Sequence, residues 1–219
     1  MASPPGASPA EPEETIRRCA VELLAISQTG LTYASDVFDR QRYEQVRDTA
    51  TSLLALIGSG DVGTLRRQLE LETGYATPKV GVRGAVFDAR HRVLLVRERS
   101  DGRWSLPGGW CDVLQSPAES VCREVLEEAG VAARATHLVA VVDRQHRGQA
   151  PPRPFHIYNL LFLCAQVGGA AEPDRMETED AGWFDLEALP ELSEGRVNDA
   201  ELRLAYAHLL NPGLPTEFD

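Results

Sequence analysis

Lysine is almost absent from this chain: of its 22 basic residues, only Lys79 is not an arginine. The arginines cluster nowhere in particular, and acidic residues exceed basic ones to leave a net charge of −11. That balance excludes the broad basic surface that holds DNA or anionic membrane non-specifically, so neither is expected as a partner. A phosphorylated substrate stays open, because a bound cation reverses the sign locally. Cysteine is scarce too. Cys19, Cys111, Cys122 and Cys164 form no CxxC pair and no metal-ligand spacing, so free thiols in a reducing, cytoplasmic setting are expected. No apolar run reaches the ~18 residues of a membrane span. The first residues lack the basic-then-apolar order of a secretory signal.

With 219 residues, 43% of them hydrophobic, the chain can bury a core without staples, as one large domain or one domain with a small accessory. Residues 1–13, rich in Pro, Ala, Ser and Gly, read as a disordered tail. Residues 14–74 read as a helical accessory unit. Ile16, Cys19, Ala20, Leu23 and Ser27 follow helical spacing, as do Tyr43, Val46, Ala50, Leu53, Leu54 and Ile57. Gln28-Thr29-Gly30 is expected to stop the first helix, and Gly58-Ser59-Gly60 the second. A third, short helix fits Val62 to Leu71, and Gly74 to Pro78 reads as a linker. Two or three helices are marginal alone, so their stripes are expected to pack on a neighbouring domain or a twin subunit, making a homodimer.

The period changes at Lys79. Val80, Val82, Ala85 and Phe87, then Val93 to Val96, alternate as strands around a turn at Asp88 to His91. Further strands are expected over about Ala135 to Val142, Ile157 to Val167 and Trp183-Phe184, with a last helix over about Asn198 to Leu210 and a Pro-rich loop over Gly148 to Pro154. Strands, an inserted helix and strands again predict an α/β sandwich with a mixed sheet over residues 79–211.

The inserted helix is the chemical centre. Ser116 suits the N-cap, Pro117 the first turn, Glu119 the third position of a capping box, and Gly130 the stop, which bounds a helix from Pro117 to Ala129. On it Glu124, Glu127 and Glu128 share one face. Near a helix C-terminus three like charges are unfavourable unless a cation offsets them, and hard divalent cations take such oxygens. The alternative is a solvated acidic face paired with Arg123. Before the helix, Leu106-Pro107-Gly108-Gly109 makes a turn where backbone can approach a ligand. Trp104, Trp110 and Tyr158 fit either base stacking or the core. The late acids Glu177, Glu179 and Asp180 fit either a solvated loop or a contribution to catalysis. Arg144, His146 and Arg147 border the Pro-rich loop and could meet phosphate or a choline-like group.

Gly109, Arg123, Glu124, Val125, Glu127, Glu128, Gly130 and Val131 stand in register with the Nudix box, so residues Lys79 to Leu192 resemble Nudix hydrolases. The resemblance implies the Nudix α/β/α sandwich, preceded by a small all-helical domain. It implies a pyrophosphohydrolase that uses Mg²⁺, or Mn²⁺, held by Glu124, Glu127 and Glu128, with Arg123 orienting acids and Gly108, Gly109, Trp110 and Arg144 near substrate. One position departs: the box expects Glu where Gln115 stands. Asp112 offers a carboxylate in the same loop, as a substitute ligand or as an ordinary turn residue. Leu24 to Tyr33 and Phe38 to Tyr43 are similar to the helical domain of a subgroup named for ADP-ribose and CDP-choline pyrophosphatases, which are dimers. The implied reaction cleaves a nucleoside diphosphate linked to another group, releasing a nucleoside monophosphate. A nucleotide-sensing Nudix-like module and an RNA-end processing enzyme are the alternatives.

Overall fold

The computed structural model describes residues 12–57, 61–144, 155–172 and 177–219. Most of the expected tail, Gly58-Ser59-Gly60, His146, Arg147 and Gly148 to Pro154 lie outside these residues. The chain divides into two compact units, residues 1–78 with 153–156, and residues 79–152 with 157–219.

The first unit is helical: α1 (Pro12–Tyr33), α2 (Val37–Leu56) and α3 (Val62–Glu70). Asp36 caps α2 by accepting from the N–H groups of Phe38 and Asp39 at 2.9 and 3.1 Å, and Asp61 caps α3 in the same way. Ala20, Leu24, Ala50, Leu54, Leu65 and Leu69 form the core. The buried stripe of α1 is rotated from the expected one: Ala20, Leu24 and Ser27 point inward, whereas Ile16 and Cys19 face outward. Nor does Gln28-Thr29-Gly30 end the helix, which runs on to Tyr33. A Cβ on Gly30 would lie 2.3 Å from a ring carbon of Tyr43, so this glycine gives the α2 aromatic room against α1. The segment expected as a linker is fastened down. Gln28 Nε2 donates to the Gly74 carbonyl at 3.2 Å, and Thr29 Oγ1 accepts from Ala76 N–H at 3.2 Å.

The second unit holds two sheets. The mixed sheet runs β1 (Lys79–Val86), β5 (Ile157–Gly169), β4 (Val131–Asp143), β7 (Glu217–Phe218). The pairs β1–β5 and β4–β7 are parallel, and β5–β4 is antiparallel. A smaller antiparallel sheet has β2 (Val93–Glu98) between β3 (Trp104–Ser105) and β6 (Thr178–Phe184). Alternation along the strands fills two cores. Val82, Val86, Leu94 and Phe162 pack with Val121 and Val125 of α4 (Pro117–Ala129), while Ala85, Leu95, Leu106 and Leu161 pack with Leu202 and Ala205 of α5 (Asp199–Leu210). Helices thus lie on both sides of the strands, as the sandwich requires. Burying Val121 and Val125 contributes on the order of 2 kcal/mol each, which fixes the rotation of α4 and aims its polar face at the loop before it.

Candidate active site

The caps of α4 form as the sequence dictates. Ser116 Oγ accepts from Glu119 N–H at 3.2 Å, and Glu119 Oε2 accepts from Ser116 N–H at 2.8 Å. Gly130 takes the left-handed conformation, φ 69°, and its N–H returns to the Leu126 carbonyl. The helix therefore presents Glu124, Glu127 and Glu128 at fixed heights.

Opposite them runs the Pro107–Gly109 turn, laid along β1. Gly84 N–H donates to the Pro107 carbonyl and Val82 N–H to the Gly109 carbonyl, both at 2.9 Å, and Cys111 N–H donates to the Val80 carbonyl at 3.0 Å. The approach is so close that a Cβ on Gly108 would fall 2.1 Å from the Val82 carbonyl oxygen, and Gly108 has φ 152°. Both glycines meet the glutamates. Gly108 N–H donates to Glu128 Oε2 at 2.8 Å. The carboxylate of Glu124 lies where a Cβ on Gly109 would sit, its Oε1 2.7 Å from that point.

Two carboxylates are thus held largely out of water. Burial pushes the Glu128 carboxyl up to about 8, against the nearby Arg83 charge and the Gly108 N–H, which pull it down. Burial also raises Glu124, with Arg123 pulling the other way and the Glu127 and Glu177 charges adding to the rise. Glu127 is half-exposed.

Arg123 gathers the acids. It reaches Glu127 at 2.6 Å, Glu124 at 2.9 Å and Asp112 at 3.1 Å, and its Nε donates to Gln115 Oε1 at 3.2 Å. The structure thereby brings Asp112 to the glutamate face. Gln115 keeps an acceptor on Arg123, and on Ser120 Oγ at 3.3 Å, without bringing charge. Of the late acids, Glu177 is the one whose charge is felt at Glu124. Glu179 pairs with Arg97 at 3.2 Å, and Asp180 accepts from Ala181 N–H at 2.9 Å.

Trp104 belongs to the core, its ring 4.5 Å from that of Phe184 in an edge-on arrangement. Trp110 is half-exposed and bridges Gly81 of β1. Tyr158 pairs with Val80 on the neighbouring strand, one row along. Arg144 follows β4 at the same end of the sheet and is buried, its backbone N–H on the Ile157 carbonyl at 3.2 Å.

Sequence reasoning missed a layer of charge under the turn. Arg83 of β1 donates from Nη1 to the Leu106 carbonyl at 3.3 Å and, more closely, to that of Gly108. The charges of Glu128 and Glu98 stabilise it against burial. Glu98, buried, accepts from Ser105 Oγ at 2.7 Å and pairs with Arg196 at 3.0 Å. A charged residue in the apolar run Val82 to Val86 is the signal that would have found Arg83.

The carboxylates gathered here are hard oxygen donors, of the chemical type that divalent cations take. Among the described residues, no group of three or more Asp, Glu, His or Cys side chains is placed so that it could hold a metal ion.

Comparison with known proteins follows the same division of the chain. The family model described as the NUDIX domain matches residues 77–205, and one described as a UDP-X-like, N-terminal oligomerisation domain matches residues 14–68. A Bacillus subtilis protein named putative ADP-ribose pyrophosphatase YjhB is 38% identical over 200 residues, 91% of this chain and 95% of its own length. Among solved structures, an ADP-ribose pyrophosphatase from Streptococcus suis is 38% identical with a TM-score of 0.59, over 65% of this chain and all of that one. A UDP-X diphosphatase structure is 28% identical with a TM-score of 0.59, over 94% of this chain and 99% of that one.

Proposed function

This chain belongs to the Nudix hydrolase family, and on that premise we propose that it hydrolyses the pyrophosphate bond of a nucleoside diphosphate joined to a second moiety, of the ADP-ribose or CDP-choline type, with Mg²⁺ or Mn²⁺. The observation that carries the reading is the pair of carboxylates, Glu124 and Glu128, seated on the Gly108-Gly109 turn with Glu127 and Asp112 beside them through Arg123. The names of the relatives, ADP-ribose pyrophosphatase and UDP-X diphosphatase, support the substrate class.

Glu124, Glu127 and Glu128, with Asp112, would hold the ion. When bound, the ion neutralises diphosphate charge and lowers the pKa of a water. The protein's own groups do the rest. Gly108 N–H keeps the Glu128 carboxylate facing the turn. Arg123 ties Glu124, Glu127 and Asp112 into one set, so that a proton taken from the attacking water passes to a carboxylate already in place. Water adds to one phosphorus, the bridging P–O bond breaks, and a nucleoside monophosphate and a phosphorylated partner leave. Trp110, half-exposed beside Gly109, offers a face for a base, and Arg144 lies at the same end of the sheet. Residues 14–68 would join two copies, which supplies a cover for the outward Ile16, Ile26 and Phe38 of the helical unit.

The decisive test is Glu124→Gln assayed for monophosphate release from ADP-ribose, CDP-choline and nucleotide sugars. Turnover is expected to fall by at least about 10²-fold with the fold intact, and EDTA is expected to abolish parental activity. Unchanged turnover in this variant would remove the glutamate face from the mechanism, and a nucleotide-sensing module would become the better reading.

A further inference from the structure

We propose that Arg83 is a positioning residue for Glu128: by fixing the carbonyls of Leu106 and Gly108 it clamps the peptides on either side of the one whose Gly108 N–H meets the Glu128 carboxylate. The inference rests on the glutamate-face reading above.

Arg83 is the one ionisable residue in Val80 to Val86, a strand otherwise built of valine, glycine and alanine. A guanidinium placed there gives up water, and stability alone would favour an aliphatic side chain. Its hydration is replaced unevenly. Nη1 meets two carbonyls, whereas Nε is buried with no hydrogen-bond partner among the described residues. A residue chosen only to fill the space between the sheets would not leave a donor stranded in this way.

The turn it holds is pinned by the β1 backbone at alternate positions only. Gly84 N–H takes the Pro107 carbonyl and Val82 N–H takes that of Gly109. The alternate carbonyls, of Leu106 and Gly108, go to Arg83 instead. Ser105 Oγ also lies near the Leu106 carbonyl at 3.1 Å, but its single proton has the closer Glu98 carboxylate at 2.7 Å. Removing Arg83 therefore releases the peptides on both sides of the Pro107–Gly108 unit that bears the Gly108 N–H, leaving that unit held at its own carbonyl by Gly84 N–H alone, and glycine resists rotation least of all residues. Among the described residues Glu128 accepts a hydrogen bond from Gly108 N–H, so its aim depends on how that peptide is held. Outer partners of ligating carboxylates typically act in this manner, at about 10- to 100-fold in affinity or rate.

The test uses full-length Arg83→Met and Arg83→Lys with three readouts: thermal unfolding, Mn²⁺ affinity from the paramagnetic signal of the free ion, and steady-state kinetics on ADP-ribose. Arg83→Met is expected to unfold cooperatively, to bind Mn²⁺ at least about 10-fold more weakly and to lose about 10²-fold in kcat, with KM changed much less. Arg83→Lys, which keeps a donor for one carbonyl, is expected to recover part of both losses. A folded Arg83→Met with parental Mn²⁺ affinity and kcat overturns the proposal. If that variant does not fold, Arg83→Lys decides: parental values in it overturn the proposal, and a partial loss of both supports it. Glu124→Gln run in parallel separates the two claims. If it stays active, the glutamate-face reading itself falls. If it is inactive while Arg83→Met is parental, only the role of Arg83 falls.

Discussion

Two adjacent glycines separate stability from function at this site. A Cβ added to Gly109 would lie 2.7 Å from Oε1, 2.8 Å from Cδ and 3.0 Å from Oε2 of Glu124. Ordinary contact begins near 3.4 Å, so the carboxylate must retreat by about 0.7 Å, the difference between that contact and the nearest approach. Gly109 has no left-handed φ, so alanine strains no backbone. What it strikes is the end of a flexible side chain, which can change rotamer for about 1 kcal/mol. Fold stability of Gly109→Ala should therefore stay within about 1 kcal/mol of the parent. The catalytic cost is expected to be much larger, because a displacement of about 1 Å in a reacting array costs on the order of 10²-fold, or about 2.7 kcal/mol of activation free energy. Gly108→Ala is the contrast. Its Cβ would meet the Val82 carbonyl oxygen at 2.1 Å and the Arg83 Cα at 2.9 Å, backbone that cannot swing aside, with φ 152° adding strain. It should lose more than about 2 kcal/mol of stability. Urea unfolding with the monophosphate-release assay measures both terms. A Gly109→Ala enzyme with parental kcat would show that the position of Glu124 against the turn does not matter, and the reasoning would fail.

Two further outcomes follow from charge and surface. Glu128 titrates near 8 when folded against 4.5 as its ordinary value, so between those pH values the folded metal-free protein binds the extra proton. Its contribution to stability is full below about 4.5 and is lost as pH rises through about 8, by up to about 1.4 kcal/mol per pH unit. Urea midpoints in EDTA should therefore fall more steeply with pH in the parent than in Glu128→Gln, and equal slopes would show that Glu128 is not the group concerned. Light scattering at micromolar concentration is expected to give the mass of two chains, and a monomer there would remove the reading of residues 14–68 as a dimerising unit.

How much of this was legible in the sequence follows the range of the interaction. The bounds of α4 were readable because Ser116, Pro117, Glu119 and Gly130 act within one turn of themselves, and all act as expected. Gly30 was misread because its reason is Tyr43, on another helix. The two-residue strands β3 and β7 carry no period of their own, being defined only by their partners. Arg83, Glu98 and Arg196 escaped for the same reason: Arg83 of β1 meets the 106–109 turn and Glu98 of β2 meets Arg196 before α5, and no spacing in the chain encodes those meetings.

Gln115 shows how local reading can be right about identity and incomplete about consequence. Where the box has a glutamate, the amide oxygen still accepts from Arg123 and from Ser120, so the loop keeps its tie to α4. What changes is charge. Glu98 is offset by Arg196 at 3.0 Å. The rest of the site sets Asp112, Glu124, Glu127 and Glu128, with the Glu177 charge also felt at Glu124, against Arg123 and Arg83. Acid already exceeds base there, and a glutamate at 115 would add one more negative charge beside Asp112. Burial makes an excess charge more expensive than water would, so the glutamine lowers the repulsion in the loop while keeping its tie to Arg123, and leaves Asp112 to carry the loop's share of the charge.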